Sequence, residues 1–259
     1  MRAHLVQFDI AWEDKNANYE RVRSLVASAS IQPGEMIVLP EMFDTGFSLK
    51  VEKTADHEGE TQSFLVQLAR RRSVYVWGGF TIRRADGMGL NRAIVAAPDG
   101  SITCQYDKMH PFSFGRESER FVGGGEVVTG RWAAGEESLM ICPAICYDLR
   151  FPELFRRGLS LGAELFVVGA NWPAERAAHW RALLVARAIE NQAFVIGVNR
   201  VGADPHLSYN GGSLVVSPLG EILVDAGQDE CVTSVTIDAG AVSDWRRIFP
   251  AWRDKRSDL

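Results

Sequence analysis

The sequence contains 259 residues, of which 46% are hydrophobic and 24% are charged, proportions typical of a folded globular protein rather than a disordered or collagen-like chain. Its 28 basic and 33 acidic residues give a net charge of −5, without the basic cluster that nucleic acid or an anionic membrane would require. Apolar runs are shorter than the roughly 18 residues of a transmembrane helix, and residues 1–10 lack the features of a signal peptide. We therefore expect one cytoplasmic domain over residues 1–259, which binds neither nucleic acid nor membrane.

Apolar segments of strand length alternate with segments of helical period along the whole chain. In the first half, the pattern predicts strands at 4–9, 36–40 and 74–83, helices around 22–29 and 61–72, and a hairpin of 92–97 and 101–106. In the second half, it predicts a strand at 139–146, a helix from 152, a strand at 164–170, a helix at 175–191, and strands at 194–199, 212–217, 222–225 and 232–237. About a dozen strands with four or five helices suit two packed sheets with helices outside, so we predict an α/β fold with four layers, an α-β-β-α sandwich.

Three of the apolar segments stop at a residue that could take part in catalysis. The segment from Met36 ends at Glu41, the one from Ser101 ends at Lys108, and the one from Leu139 ends at Cys146. Open α/β folds bind their ligands at the carboxyl ends of strands, so these side chains could converge on one site. A thiol, a carboxylate and an amino group could supply the nucleophile, the base and the oxyanion donor of acyl transfer.

Cys146 has two interpretations. A lone cysteine at the end of an apolar strand is usually a small buried hydrophobe, and the other cysteines, Cys104, Cys142 and Cys231, keep that interpretation. However, Cys146 precedes a polar turn in which Pro152 suits the first position of a helix. A helix N-terminus lowers the pKa of a thiol and offers free N–H groups, including that of Tyr147, so we expect Cys146 to be a nucleophile with a lowered pKa.

Glu41 and Lys108 also have ordinary alternatives. Each could be an exposed side chain at a strand end. Glu41 lies between Leu39-Pro40 and Met42-Phe43, and burial in such surroundings would raise the pKa of its carboxylate and suit it to act as a general base. Taken singly, neither residue identifies a site.

Taken together, three segments resemble the nitrilase superfamily, the carbon–nitrogen hydrolases: Leu39-Pro40-Glu41, Tyr106-Asp107-Lys108-Met109-His110, and Cys146-Tyr147-Asp148-Leu149-Arg150-Phe151-Pro152-Glu153. The resemblance covers nearly the whole chain, from the opening strand to Pro218-Leu219-Gly220. It implies a four-layer sandwich of the nitrilase type that usually dimerises, and catalysis without a metal or organic cofactor. The omega-amidase branch is the most similar, which implies hydrolysis of the distal amide of short dicarboxylic monoamides such as 2-oxoglutaramate or 2-oxosuccinamate.

The resemblance also implies roles for individual residues. Glu41, Lys108 and Cys146 match the family's triad, and Glu117 matches its second glutamate, although Glu119 is close in sequence. The substrate-binding candidates are Tyr147, Asn171, Trp172 and Arg116, the last as a partner for the substrate's carboxylate. Trp172 could equally be a core residue, and Arg150 could be either the carboxylate partner or a structural residue.

Other motifs and functions remain as alternatives. Gly158-Leu159-Ser160-Leu161-Gly162 has the serine hydrolase pattern but lies between a helix and a strand in the wrong order. Gly123-Gly124-Gly125 lacks the spacing of a dinucleotide-binding loop, and the five histidines lack metal-ligand spacing, so we expect no metal site. The same triad could act on nitriles, N-carbamoyl amines or other amides, and the chain could also be a catalytically silent binding protein.

Overall fold

The computed structural model describes residues 1–256, in which two six-stranded sheets pack against each other with helices on both outer sides. The strands are β1 (Arg2–Gln7), β2 (Met36–Val38), β3 (Tyr75–Arg83), β4 (Gly89–Ala96), β5 (Ile102–Asp107), β6 (Gly130–Ala134), β7 (Glu137–Ile145), β8 (Leu165–Ala170), β9 (Phe194–Asn199), β10 (Val201–Ala203), β11 (Ser208–Asn210), β12 (Leu214–Val216), β13 (Ile222–Asp225) and β14 (Cys231–Thr236). The helices are α1 (Lys15–Ser28), α2 (Val51–Thr54), α3 (Glu60–Arg72), α4 (Pro152–Ser160), α5 (Ala177–Asn191) and α6 (Gly240–Ile248). The predicted α-β-β-α sandwich is confirmed.

The first sheet has the strand order β14-β1-β2-β3-β4-β5, and the second has the order β13-β12-β9-β8-β7-β6. In each sheet the central strands run parallel and the outer strands are antiparallel. Helices α1 and α3 cover the first sheet, while α4 and α5 cover the second. Strands β10 and β11 form a separate two-stranded ribbon.

Central strands of the first sheet are apolar on both faces because both faces are covered. In β2, Met36 and Val38 face the core between the sheets, whereas Ile37 packs with the core under α1 and α3. In β3, Trp77 points between the sheets and Val76 points to the helices. The two-residue period of a strand thus divides a continuous apolar run between two cores.

Most predicted elements are present, with differences at their ends. The 92–97 and 101–106 hairpin is confirmed as the antiparallel pair β4 and β5. Ser160 is the last residue of helix α4, and strand β8 follows, so the serine hydrolase pattern lies between a helix and a strand, as predicted. Helix α1 begins at Lys15, earlier than predicted, because the Asp14 carboxylate caps it by accepting a hydrogen bond from Ala17 N–H. The structure adds α2, α6, β6 and the β10–β11 ribbon, which the sequence pattern did not predict.

None of the helices within residues 1–256 is both long enough and apolar enough to cross a bilayer. In the same part of the chain, no three His, Cys, Asp or Glu side chains are grouped as metal ligands.

Candidate active site

The carboxyl ends of β2, β5 and β7 lie at one end of the sandwich and bring three predicted residues together. Glu41 follows β2 by three residues, Lys108 follows β5 directly, and Cys146 follows β7 directly. Lys108 Nζ lies 2.9 Å from Glu41 Oε1, and both Lys108 and Cys146 line the same cavity. The two sheets therefore contribute to one site, with the glutamate and lysine from the first and the cysteine from the second.

Lys108 is held between two buried carboxylates. Its Nζ lies 2.8 Å from Glu117 Oε2 as well as 2.9 Å from Glu41 Oε1, and the three side chains are at most 1% exposed. Asn91 Nδ2 donates to both carboxylates, at 2.7 Å to Glu41 and 3.1 Å to Glu117. The structure thus places Glu117 beside the lysine, whereas Glu119 pairs with Arg116 at the surface.

The backbone around Glu41 is fixed by close packing and by hydrogen bonds. Asn171 N–H donates to Glu41 Oε2 at 2.9 Å, and its Nδ2 donates to the Glu41 carbonyl at 2.7 Å. A Cβ at Gly79 would lie 3.2 Å from Glu41 Cα, and one at Gly169 would lie 3.0 Å from Glu41 N. At Gly169 the Cβ would also overlap the Trp77 ring, so β8 needs glycine there, whereas a side chain at Gly79 would press on the segment that carries the carboxylate.

The charge states of the cluster formed by Glu41, Lys108 and Glu117 differ from the sequence prediction. Burial raises the pKa of Glu41, but the positive charge of Lys108 and the hydrogen bonds from Lys108, Asn171 and Asn91 outweigh it, so the net pKa lies below its ordinary value. The predicted raised pKa of Glu41 is therefore wrong. Burial and the nearby Glu41 charge raise the pKa of Glu117, while the two carboxylates keep the pKa of Lys108 above its ordinary value in spite of burial. Glu41 is consequently ionised, and Lys108 is positively charged.

Cys146 directly follows β7 and is the first residue of a 3₁₀ turn at Cys146–Arg150. Its φ of +45° lies in the left-handed region, which a non-glycine residue adopts at a cost of about 1–3 kcal/mol. The partly buried thiol lies at the cavity, with Sγ 3.9 Å from the Asn171 carbonyl oxygen. Such a strained residue at a cavity is typical of a functional position.

The pKa of the Cys146 thiol is also opposite to the sequence prediction. Desolvation and the negative charge of Glu41 raise it well above its ordinary value, and the positive charge of Lys108 only partly offsets them. The predicted lowering by a helix N-terminus is wrong, because the turn after Cys146 is a short 3₁₀ segment, and α4 begins only at Pro152. At neutral pH the thiol is therefore protonated and close to an ionised carboxylate.

Tyr147 presents two different groups. Its side chain lines the cavity and packs against Phe112, with ring centroids 4.9 Å apart. Its backbone N–H lies in the first turn of the 3₁₀ segment, where N–H groups have no acceptor within the helix. This N–H and Lys108 Nζ are the two donors that the sequence predicts for the oxyanion.

The cavity above Cys146 has a volume of about 630 Å³. Aromatic and aliphatic side chains form most of its walls, including Trp12, Phe47, Leu49, Phe112, Phe114, Trp172, Leu207 and Tyr209. Trp172 lines the cavity and is also 3% exposed within the core cluster, so both of its interpretations apply. Asn171 lines the cavity too: its backbone N–H and Nδ2 donate to Glu41, and its carbonyl oxygen faces the Cys146 thiol.

The arginines divide into cavity and surface residues. Arg116, predicted as the carboxylate partner, has a 73% exposed side chain that pairs with Glu119, and it lies outside the cavity lining. Arg150 lines the cavity, with its guanidinium 4.8 Å from the Trp172 ring centroid and 3.3 Å from His179 Nδ1. Arg176 also lines the cavity but pairs with Glu175.

The sequence analysis missed Asn91, which bridges the two carboxylates. Its position could have been found from the hairpin register, since Arg92 pairs with Asp107 and the Asn91 carbonyl accepts a hydrogen bond from Lys108 N–H. It also missed the segment from Asp204 to Tyr209 on the far wall. A local pattern could not show this segment, because only the tertiary fold brings the β10–β11 ribbon to the cavity.

Comparisons with known proteins agree with this geometry. The profile of the carbon-nitrogen hydrolase family matches residues 2–247. An omega-amidase, YafV, from Yersinia enterocolitica is 37% identical over 98% of this chain and 96% of its own length. A 2-oxoglutaramate amidase from Bacillus subtilis is 32% identical over 98% of this chain and 97% of its own length.

Solved structures show the same fold. A CN-hydrolase superfamily protein from Xanthomonas campestris, with an arsenic adduct in its active site, is 36% identical and superposes with a TM-score of 0.92, covering 100% of this chain and 98% of that one. An amidase from Nesterenkonia sp. AN1, in which acrylamide has added to the active-site cysteine, is 25% identical with a TM-score of 0.83 and covers 97% of this chain and 99% of that one.

Proposed function

Since this chain belongs to the carbon-nitrogen hydrolase family, we propose that it is an omega-amidase, which releases ammonia from short dicarboxylic monoamides such as 2-oxoglutaramate or 2-oxosuccinamate. The observation that carries the proposal is the buried Glu41–Lys108–Glu117 cluster beside Cys146 in a cavity that also contains Arg150. Relatives named as omega-amidases, at 34 and 37% identity, and as a 2-oxoglutaramate amidase, at 32%, match over nearly the full chain and support it.

The first half of the reaction uses the protonation states of the site. Glu41 is ionised and Cys146 is protonated, and a hydrogen bond between their side chains contributes to the raised thiol pKa. Glu41 takes the proton as the sulfur attacks the amide carbon, so a C–S bond forms and the carbonyl electrons move to oxygen. A resting thiolate is not required.

Two donors would stabilise the resulting oxyanion. An ammonium group has three N–H donors; Lys108 Nζ bonds to Glu41 Oε1 and to both oxygens of Glu117, and when the Glu117 carboxylate shares one N–H, one donor is left for the substrate. The Tyr147 N–H supplies the other. Asn91 and Glu117 hold the lysine in place, so Glu117 acts by positioning and by balancing charge.

The second half returns the enzyme to its starting state. The oxyanion collapses, the C–N bond breaks, and protonated Glu41 gives its proton to the leaving nitrogen, which departs as ammonia. Water then attacks the thioester while Glu41 takes one of its protons. The C–S bond breaks, the acid leaves, and the sulfur regains a proton from Glu41.

Arg150 is the side chain best placed to bind the carboxylate of the substrate. Within residues 1–256, it is a cavity arginine with no acidic side chain within ion-pair distance, whereas Arg176 pairs with Glu175. The Arg150 guanidinium lies over the Trp172 ring, and this contact orients the plane of the guanidinium. We therefore assign to Arg150 the role that the sequence analysis gave to Arg116.

The protein works, in this proposal, as a cytoplasmic homodimer of one-domain subunits. A reducing compartment would keep Cys146 as a thiol. Exposed apolar side chains on the helical side of the second sheet support self-association, among them Leu161 after α4, Ile189 on α5 and Ile248 on α6, with Ile248 71% exposed.

The proposal is tested by measuring ammonia release from succinamate, 2-oxoglutaramate, asparagine, glutamine and a simple nitrile. We expect the wild type to release ammonia from succinamate and 2-oxoglutaramate, and the Cys146→Ala variant to release none from either. Release from the nitrile alone would overturn the substrate assignment, and equal release by the variant would overturn the role of Cys146. Absence of release from every compound would contradict the proposal as a whole and favour a carbamoyl substrate or a binding role.

A further inference from the structure

Asp148 is a buried carboxylate that the mechanism above does not use. It is fully buried, and its two oxygens make four hydrogen bonds, with backbone and side-chain groups from both halves of the site. Its partners are neighbours of Lys108 on one side and of Cys146 on the other. This arrangement distinguishes it from an ordinary capping residue, which contacts only its own helix.

On the lysine side, Asp148 holds the two residues that follow Lys108. Its Oδ1 accepts from His110 N–H at 3.0 Å and lies 2.8 Å from His110 Nδ1. Its Oδ2 accepts from Tyr106 Oη at 2.7 Å, and that hydroxyl in turn accepts from Met109 N–H at 3.2 Å. The end of β5 and the segment after it are therefore tied to one carboxylate.

On the cysteine side, Asp148 holds the residue that precedes Cys146. Its Oδ2 accepts from Ile145 N–H at 3.0 Å, which closes the turn back on the end of β7. Cys146 itself has the strained φ of +45°, a conformation that persists only where the surroundings enforce it. The carboxylate supplies one such constraint next to the nucleophile.

From these contacts we infer that Asp148 is a positioning residue that sets the separation of the Lys108 amino group and the Cys146 thiol. β5 belongs to the first sheet and β7 to the second, so the carboxylate joins the sheets at the point where each supplies a reacting group. The inference rests on the proposed function, because the oxyanion has to lie between Lys108 Nζ and the Tyr147 N–H. A displacement of about 1 Å at such a site can cost about 100-fold in rate.

The test compares Asp148→Asn with two other variants. The asparagine side chain has the same shape as the aspartate but offers one acceptor oxygen in place of two, so one pair of donors loses its partner. Tyr106→Phe removes a single hydrogen bond from the same carboxylate. Asp56→Asn is the matched control, because the Asp56 carboxylate also accepts two backbone N–H groups, from Thr61 and Gln62, but at the start of α3.

Two readouts separate positioning from loss of stability. The first is kcat and KM for succinamate, and the second is the rate at which iodoacetamide alkylates Cys146, which requires no substrate. We expect Asp148→Asn to lower kcat by about tenfold or more with little change in KM, and to slow alkylation, because the Lys108 charge that favours the thiolate would lie further from the sulfur. Tyr106→Phe should show smaller changes in the same direction, and Asp56→Asn should lower Tm without changing either rate.

Unchanged kcat and alkylation rate in folded Asp148→Asn would overturn the inference, as would equal losses in Asp56→Asn. If Asp148→Asn does not fold, Tyr106→Phe decides: unchanged rates in that variant overturn the inference, and slower rates support it. If the wild-type protein releases no ammonia from any amide, the proposed function fails, and the alkylation rates still decide the role of Asp148.

Discussion

The two regions around the cavity are built differently. The carboxylates and amino group of Glu41, Lys108 and Glu117 are buried, and each has at least two hydrogen-bond partners within the protein. The cavity wall at Trp172 is different: the Arg150 guanidinium lies over the Trp172 ring and, unlike its neighbour Arg176, which pairs with Glu175, does not form an ion pair with an acid in the described residues.

In the proposed mechanism, this difference separates the residues that carry out the chemistry from those that select the substrate. The cluster is fixed before substrate arrives, so its charges need little reorganisation during the reaction. Arg150 makes one hydrogen bond among the described residues, to His179, so its guanidinium has further N–H groups that can bind a ligand. Substitutions in the cluster should therefore act mainly on kcat, and substitutions on the wall should act mainly on KM for charged substrates.

The largest effect is expected from the cluster. Glu41→Gln removes the base and Lys108→Met removes the oxyanion donor, so each should lower kcat for succinamate by at least ~2 orders of magnitude. Lys108→Met should also lower Tm, because two buried carboxylates lose their counter-charge, whereas Glu41→Gln preserves shape. Steady-state ammonia release and thermal unfolding measure the two effects, and near-normal kcat in either variant would contradict its assigned role.

A smaller and more selective effect is expected on the wall. Arg150→Gln removes a charged hydrogen-bond donor, worth about 1.5–3 kcal/mol, so KM for succinamate should rise about 10-fold or more. KM for butyramide, which has no carboxylate, should change little. Arg116→Gln is the matched control, since its side chain pairs with Glu119 outside the cavity, and it should behave as the wild type. Equal effects of Arg150→Gln on both amides would contradict the assignment.

The smallest effect concerns stability near the cluster. Burial raises the pKa of Asp44 to about 7 from an ordinary 3.8, so the folded state binds a proton that the unfolded state releases. This contribution to stability is complete below about pH 4 and is lost as pH rises through 7. Asp44→Asn has no such proton. The Tm of Asp44→Asn minus the Tm of the wild type should therefore become more positive between pH 5 and pH 8. A difference that stays constant over this range would show that the pKa of Asp44 is not raised.

Much of the fold was predictable because the apolar pattern is local. Strands buried on both faces appear as continuous apolar runs, and the hairpin turn fixes the pairing of β4 with β5. Helix α6 was missed because its only fully buried apolar residue is Val242, with charged and exposed residues around it. The β10–β11 ribbon was missed because its strands, Val201–Ala203 and Ser208–Asn210, contain glycine and polar residues and lack an apolar run.

The grouping of Glu41, Lys108 and Glu117 was predictable from motifs, but their charge states were not. The pKa of Glu41 depends on Lys108, Asn91 and Asn171, which are distant in sequence. Arg116 was selected for its nearness to Glu117, but its left-handed φ of +62° sends the chain into a turn where Glu119 is its partner. Electrostatics and side-chain direction are set by tertiary contacts, which neighbouring residues in the sequence do not reveal.

In the proposed mechanism, Cys146 carries the acyl group during amide hydrolysis. The most direct measurement is mass spectrometry of the wild-type protein quenched in acid during turnover of succinamate, with peptide mapping of any adduct. We expect a succinyl group on the peptide that contains Cys146, and none on Cys146→Ala. Ammonia release from the wild type with no adduct under conditions that preserve thioesters, or an adduct on another residue, would contradict the role of Cys146.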